Sequence, residues 1–511
     1  MNQNIISYIE MHDAKFEIHN TYFDLKDYKF GIIRIKTPKV EMTKTNLAIY
    51  MNIDRSGSMD DTCSDGRTKM AHLKHTIRNI IQLFSTYTDV NVSVCIVVFD
   101  SIVEELTKGF ELITTENVEY FYKIISNIRS MGTTNIELSL NNAMNRINEY
   151  SNNNPNVCPI HIQFTDGEAS SGKTEIQELL KNINPSYKNI FIGFGETHDS
   201  YLLSCFAEYG GVGKSEYRFI DQIENSGMVC GEILYNILYP FTTESLSINM
   251  VKDKNGKSMK IYNWITNEWV SSMIIPPLSS DCEKIYHIKG STSERDDEYS
   301  DDSQQEYSDI GSICSAELLL CGVPLEIARK SMTDLTKYMF RQKTLELLYE
   351  SRQLESHKYE LKEKNKNKKT VMFNKKYTSH VDKDIIDLRS RLLKLFQILQ
   401  EYWGNLVNEQ DKIFIKILMD DVHIAHNTLG TERGHMYSCS RQLSQGSQFT
   451  YKVGGTNDSL KTEHYDDIGL GQGDYITSPS TKTYDQNVMI LGMMNKIMNV
   501  NDDEENIECE I

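Results

Sequence analysis

Asn46-Leu-Ala-Ile-Tyr-Met-Asn-Ile-Asp54-Arg-Ser56-Gly-Ser58-Met59 is the stretch around which the rest of the chain is read. Its first half is a short apolar run, the composition of a strand buried on both faces of a parallel sheet. The second half ends that strand in Asp54-x-Ser56-x-Ser58, a carboxylate and two hydroxyls at alternate positions, with Gly57 permitting a tight turn. Three oxygen side chains in so short a span suit a hard divalent cation such as Mg2+, which takes oxygen ligands and uses only one or two carboxylates. Taken alone, the same residues read equally well as an ordinary Asp/Ser/Gly turn.

Two later stretches bear on that choice. Gly132-Thr133-Thr134-Asn135-Ile136 sets hydroxyls on a second loop, just before a helical pattern of Ile136, Leu140, Ala143 and Ile147. Ile160–Asp166 is another apolar strand, running into Asp166-Gly167-Glu168. In a doubly wound sheet, loops at the carboxyl ends of neighbouring strands converge on one crevice. At these residues the sequence resembles the von Willebrand factor type A family. That family's metal-ion-dependent adhesion site combines Asp-x-Ser-x-Ser with a Thr from a second loop and an Asp from a third. All five elements are present here in the family's order. The resemblance implies that Ser56, Ser58 and Thr134 ligate Mg2+ or Mn2+ directly, and that Asp54 and Asp166 bind it directly or through water.

Composition bounds the remaining classes. The 511 residues suffice for about three domains. Lys+Arg of 54 against Asp+Glu of 72 gives a net charge of −18, which disfavours nucleic acid and anionic membranes as partners. Ten cysteines are scattered without a Cys-x-x-Cys pair, and Cys95 and Cys205 fall in apolar runs as buried free thiols do. This pattern points to a reducing compartment rather than a disulfide framework. No charged segment followed by a hydrophobic core opens the sequence, and no run reaches the ~18 apolar residues of a membrane span. The expectation is an intracellular protein, and the Asn, Ile, Lys and Tyr usage is that of AT-rich genomes, including large DNA viruses and some protists.

Residues 1–45 alternate in the period of strands and are assigned to a β module. Residues 46–240 alternate strands with helices, an α/β domain with a largely parallel sheet. Within it Gly210-Gly-Val-Gly-Lys-Ser215 imitates a phosphate loop, but Glu208 stands where that loop needs Gly, and a helix precedes where a strand is needed. Residues 241–292 return to β patterning and complete a small sandwich with the N-terminal strands, an arrangement similar to several intracellular type A proteins. Trp264 and Trp269 read as sheet-face aromatics. Ser291–Ser308 is acidic and nearly free of aliphatics, and residues 293–314 are assigned to a linker.

Residues 315–430 are read as a helical bundle, with segments Leu318–Val323, Leu335–Leu348, Ile385–Leu399 and Ile413–Ala425. Lys358–Lys376 holds eight lysines, an exposed connector. His423 and His426 lack further ligands for a metal. Residues 431–511 are read as a low-complexity tail with a short helix at Val488–Met498 and an acidic end. Gly434–Gly446 is loosely similar to the Arg/Ser/Gln-rich end of the helical region in plant and protist type A proteins, some of which are ubiquitin ligases with a RING finger. This chain has no cysteine and histidine array for a RING.

There is no Gly-x-Ser-x-Gly elbow, His-Glu-x-x-His, complete P-loop or cysteine-based zinc pattern, so the chain is not expected to be an enzyme. A site of two carboxylates and three hydroxyls leaves a divalent cation residual positive charge, which an Asp or Glu of a partner protein would complete. The expected function is a metal-dependent protein-interaction module. The alternative is an adaptor that selects clients in a ubiquitin or AAA+ ATPase pathway.

Overall fold

The computed structural model describes residues 5–13, 28–38, 45–63, 65–86, 90–167, 169–211, 215–220, 246–251, 259–276, 278, 282–291, 315–320, 323–329, 333–366, 375–431 and 433–448. Those within Met1–Val40 and Phe241–Thr450 form one compact unit and those within Glu41–Pro240 another.

Two strands, β1 (Ile6–Met11) and β2 (Tyr28–Lys36), come before the α/β unit. That unit opens with β3 (Thr45–Asp54), followed by a 3-10 turn at Gly57–Asp60, α1 (Lys69–Ser85) and β4 (Val90–Phe99). Next come β5 (Val103–Glu105), β6 (Glu111–Leu112), α2 (Val118–Asn127), α3 (Ile136–Asn153) and β7 (Val157–Thr165). It continues through α4 (Ile176–Leu180), β8 (Lys188–Phe194), α5 (Ser200–Tyr209) and β9 (Ser215–Ile220). The sheet order is β5-β4-β3-β7-β8-β9, with β6 also on β4. The pairs β3–β4, β3–β7, β7–β8 and β8–β9 are parallel, while β5 and β6 are antiparallel to β4. Chain order turns back on itself at β3, with β4 on one side and β7 on the other. That is the topological switch point, where strand-end loops part to form a crevice.

The alternation along β3 explains why it is buried on both faces. Leu47, Ile49, Met51 and Ile53 pack with Leu73, Ile77, Ile80 and Phe84 of α1 and Phe121 and Ile125 of α2. Tyr50, on the other face, joins Ala143 and Ile147 of α3. Each such fully buried aliphatic stabilises by about 1.5–3 kcal/mol. On that second face, Asn52 donates to Gln163 at 2.7 Å, a polar pair that ties β3 to β7 below the crevice.

The second unit is a sandwich with helices. Its strands, after β1 and β2, are β10 (Leu246–Val251), β11 (Lys260–Asn263), β12 (Glu268–Val270), β13 (Ser272–Ile275), β14 (Glu283–Ser291), β15 (Ser315–Leu320), β16 (Val323–Leu325) and β17 (Ala328–Arg329). One sheet runs β12-β11-β14-β2-β1-β17 and the other β13-β10-β15-β16. Their inner faces share a core that includes Ile33, Ile35, Ile261, Ile288, Leu246, Ile248 and Leu318. The helices are α6 (Thr336–Lys366), α7 (Lys375–Asn405), α8 (Glu409–Thr428) and α9 (Gly434–Ser447).

Several expectations are corrected here. Of the helix expected at Leu318–Val323, the described residues are strand: β15 pairs antiparallel with β10 over its whole length and also with β16, so the sandwich extends past 292 to residue 329. A run of leucines fits a helix or a buried strand alike, and the pairing with β10 decides it. The tail assigned from 431 begins instead with α9, buried almost all round. Gln445 donates to Asp421 at 2.6 Å, Gln442 donates to the Trp264 carbonyl at 2.9 Å, and Arg341 donates to the Gln445 carbonyl. Lys284 donates to the Ser447 carbonyl at 2.6 Å, so buried cations stand at the helix's carboxyl end, where its dipole is negative. Lys358–Lys376 is not all connector, since α6 runs on to Lys366 and α7 starts at Lys375. Trp269–Ile275 is two strands that belong to different sheets. Cys205 is half-buried, not buried. The 293–314 linker and the tail beyond 450, with its expected helix at Val488–Met498, lie outside the described residues.

Candidate functional site

Asp54 is the last residue of β3, and the chain there turns sharply because the Ser56 N–H donates to Asp54 Oδ1 at 2.8 Å. This Asx turn brings the Ser56 and Ser58 hydroxyls to 3.1 Å from each other. Asp54 and Ser56 are buried and Ser58 half-buried.

The second loop is tied to the first by backbone bonds. The Met131 N–H donates to the Arg55 carbonyl at 2.6 Å and the Gly57 N–H to the Gly132 carbonyl at 3.3 Å. Gly132 has φ +75°, and a Cβ there would stand 3.1 Å from the Asp100 side chain, so only glycine passes. Asp100, just after β4, accepts from Arg55 Nε at 2.9 Å, and its carbonyl accepts from the Asn135 N–H. Burial raises the Asp100 carboxyl, but the Ile102 N–H and the Arg55 guanidinium outweigh it and hold the group below its ordinary range. Thr134 is thereby fixed as a buried residue directly before the Asn135 cap of α3.

The third loop follows β7. The Asp166 carbonyl accepts from the Asp199 N–H at 2.8 Å, and Ser170 accepts from the Thr134 N–H at 2.9 Å, closing the ring of loops. Thr165 donates to Asp54 Oδ2 at 2.6 Å and accepts from the Gly167 N–H at 2.9 Å. Lys69 of α1, itself buried, donates to Asp166 Oδ2 at 3.1 Å. His198 lies below, bonded to the Gly195 carbonyl and the Tyr217 hydroxyl, and burial pushes its imidazole down to about 4.

Four carboxylate oxygens thus face the crevice, and three are engaged by the protein. The fourth, Asp166 Oδ1, is buried without a hydrogen-bond partner among the described residues. A buried acceptor left unpaired costs about 1–3 kcal/mol. Burial first, and then the charge of Asp166, lift the Asp54 carboxyl well above its ordinary range. Two buried carboxylates, one with an orphan oxygen, and three hydroxyl side chains on loops bonded to one another are a donor set that fits a hard divalent cation. The three loops that carry the residues expected from the sequence, Asp54, Ser56, Ser58, Thr134 and Asp166, are tied to one another by these bonds. Thr165, Lys69, Arg55 and Asp100 were not anticipated. Of the other acids on these loops, Asp60 is exposed and Glu168 lies outside the described residues. His423 and His426 bond to Asn427, and no group of three His, Cys, Asp or Glu suited to a metal occurs among the described residues.

Residues 49–169 match the family model described as the von Willebrand factor type A domain. The matched stretch begins within β3 and ends in the third loop, so it contains all three loops. The chain carries a von Willebrand factor type A domain at this position. No curated protein matches the sequence. Among solved structures, a von Willebrand factor type A protein from Catenulispora acidiphila is 12% identical, with a TM-score of 0.44 over 69% of this chain and 82% of that one. The PilB minor pilin of Streptococcus sanguinis is 13% identical, with a TM-score of 0.32 over 46% and 79%. The pilus adhesin SpaC of Lactobacillus rhamnosus GG is 12% identical, with a TM-score of 0.32 over 52% and 42%.

Proposed function

We propose that the protein is a divalent-metal-dependent protein-interaction module. Ser56, Ser58, Thr134, Asp54 and Asp166 hold Mg2+ or Mn2+, and an Asp or Glu of a partner protein completes the site. The observation that carries this reading is the unpartnered, buried Asp166 Oδ1 of the third loop, together with the paired Ser56 and Ser58 hydroxyls of the first. Domains of the matched type are in general interaction or adhesion modules, which supports binding over catalysis. When bound, the cation supplies a Lewis-acidic position that a carboxylate oxygen fills. The chain's own residues orient and shield: Thr165 and the Ser56 N–H fix the Asp54 rotamer, and the Arg55–Asp100 pair and Gly132 fix the Thr134 loop.

The net charge of −18 argues against nucleic acid as the partner. Among the described residues, no helix is long and apolar enough to cross a membrane. None of the six described cysteines forms a disulfide, which supports a reducing compartment.

The test is calorimetric titration of Mg2+ into the wild type, Asp54→Ala and Thr134→Ala, with partner capture with and without EDTA. Saturable binding lost in both variants, and capture lost with EDTA, is the expected result. A folded wild type that binds no divalent cation refutes the proposal.

A further inference from the structure

Lys69 is the first residue of α1, a position where the helix dipole disfavours a cation. Nothing in local helix chemistry accounts for it, yet its side chain is only 5% exposed. A buried ammonium is costly unless paired. Its Nζ lies 3.1 Å from Asp166 Oδ2 and 3.7 Å from Asp61 Oδ2, and the Asp61 side chain is 69% exposed and largely screened by water. The placement is enforced twice. The Lys69 N–H donates to the Asp61 carbonyl at 2.9 Å, and the lysine stem runs across Gly195, where a Cβ would stand 3.0 Å from Lys69 Cε. Gly195 has φ +78°, so the end of β8 both needs a glycine and leaves that passage open.

We propose that Lys69 sets the charge of the metal site and makes it selective for an anionic ligand. This rests on the metal reading given above. Asp54, Asp166 and Lys69 contribute −1, −1 and +1, so with both carboxylates ionised the bare site carries −1 and a divalent cation brings it to +1. Without Lys69 the corresponding charges are −2 and 0. Lys69 therefore weakens the hold on the metal and strengthens the hold of the loaded metal on a carboxylate. It occupies only Asp166 Oδ2 and leaves Oδ1 to the cation.

The experiment uses the full chain, with Mg2+ alone as the first probe and acetate on the Mn2+-loaded protein as the second, the latter followed by water-proton relaxation. One unit charge at this range moves a neighbouring charge equilibrium by about tenfold or more. Lys69→Met is expected to bind Mg2+ about tenfold more tightly and acetate about tenfold more weakly than the wild type, while Lys69→Arg, which keeps the charge, stays near the wild type in both. Should Lys69→Met fail to fold, Lys69→Gln keeps a donor to Asp166 without the charge and carries the same expectation. A wild type that binds Mg2+ beside a folded neutral variant that binds it no more tightly overturns the role of Lys69 and leaves the metal reading standing. Tighter Mg2+ with unchanged acetate overturns the anion selectivity. A wild type that binds no Mg2+ overturns both readings.

Discussion

Thr165→Val isolates what holds Asp54 in place. Valine has nearly the same shape and the same β-branching, so β7 keeps its propensity and its packing. What disappears is one hydroxyl that donates to Asp54 Oδ2 at 2.6 Å and accepts from the Gly167 N–H at 2.9 Å. Losing a hydrogen bond to an ionised group removes about 1.5–3 kcal/mol, and a buried N–H left unpaired costs about 1–3 kcal/mol. Burial and Asp166 raise the Asp54 carboxyl, so without metal part of its population is neutral and the first loss moves to the low end. The expected destabilisation is then about 2–4 kcal/mol. The three tryptophans, Trp264, Trp269 and Trp403, all belong to the sandwich unit. In guanidinium denaturation their fluorescence reports that unit, while circular dichroism reports both, so the α/β unit is read as the part of the dichroism change that the tryptophans do not follow. The variant should shift the dichroism transition and leave the tryptophan transition in place. Thr133→Val is the control, because Thr133 is exposed and its bond to Ser171 is solvated; it should cost under about 0.5 kcal/mol. A Thr165→Val transition coincident with the wild type would show that Asp54 is not held from β7.

Two further outcomes follow from other parts of the molecule. Gly446→Ala puts a Cβ 2.1 Å from the Trp264 ring, so the ring or α9 must move; a loss of about 1–3 kcal/mol is expected, seen as an earlier tryptophan-fluorescence transition with a shifted emission maximum. His161 is fully buried, and that burial pushes its imidazole down to about 4 from an unfolded value near ~6.5. The unfolded chain takes up a proton that the folded one refuses, so stability is complete above about pH 6.5 and falls by up to about 3 kcal/mol as the pH drops to 4. His161→Gln should flatten the dichroism-monitored stability between those pH values by about one proton's worth of slope; an unchanged slope would mean that His161 is protonated in the folded state.

The difference between what could and could not be read from the chain lies in where each residue takes its information. Asp54, Thr134 and Asp166 are far apart in sequence, yet each follows or precedes a periodic apolar segment, and parallel strands send their carboxyl-end loops to one edge. The motif and its convergence were therefore legible together. Thr165 was not, because a threonine closing an apolar strand is ordinary β composition, and its role depends on the register that sets β7 beside β3. Lys69 likewise reads as one lysine of an amphipathic helix until Asp166 and Gly195 are placed around it. Leu318–Leu320 carries no period that separates strand from helix, and its partner β10 lies beyond a long acidic stretch.

α9 shows the limit most sharply. Amphipathic periodicity marks a helix only when one face meets water and the other a core. Gly434–Ser447 has water on neither side, and its neighbours are themselves polar: Asp421, Arg341, Arg352 and the Trp264 carbonyl. Small and amide side chains are what such a slot requires. Gly434 and Gly446 admit the closest approaches, to Glu355 and Trp264, and glutamines supply both donors and acceptors. That composition is the same as the composition of a solvated tail. Burying it is possible only because partners wait in the sandwich and the other helices, so the element is specified by the rest of its unit and not by its own pattern.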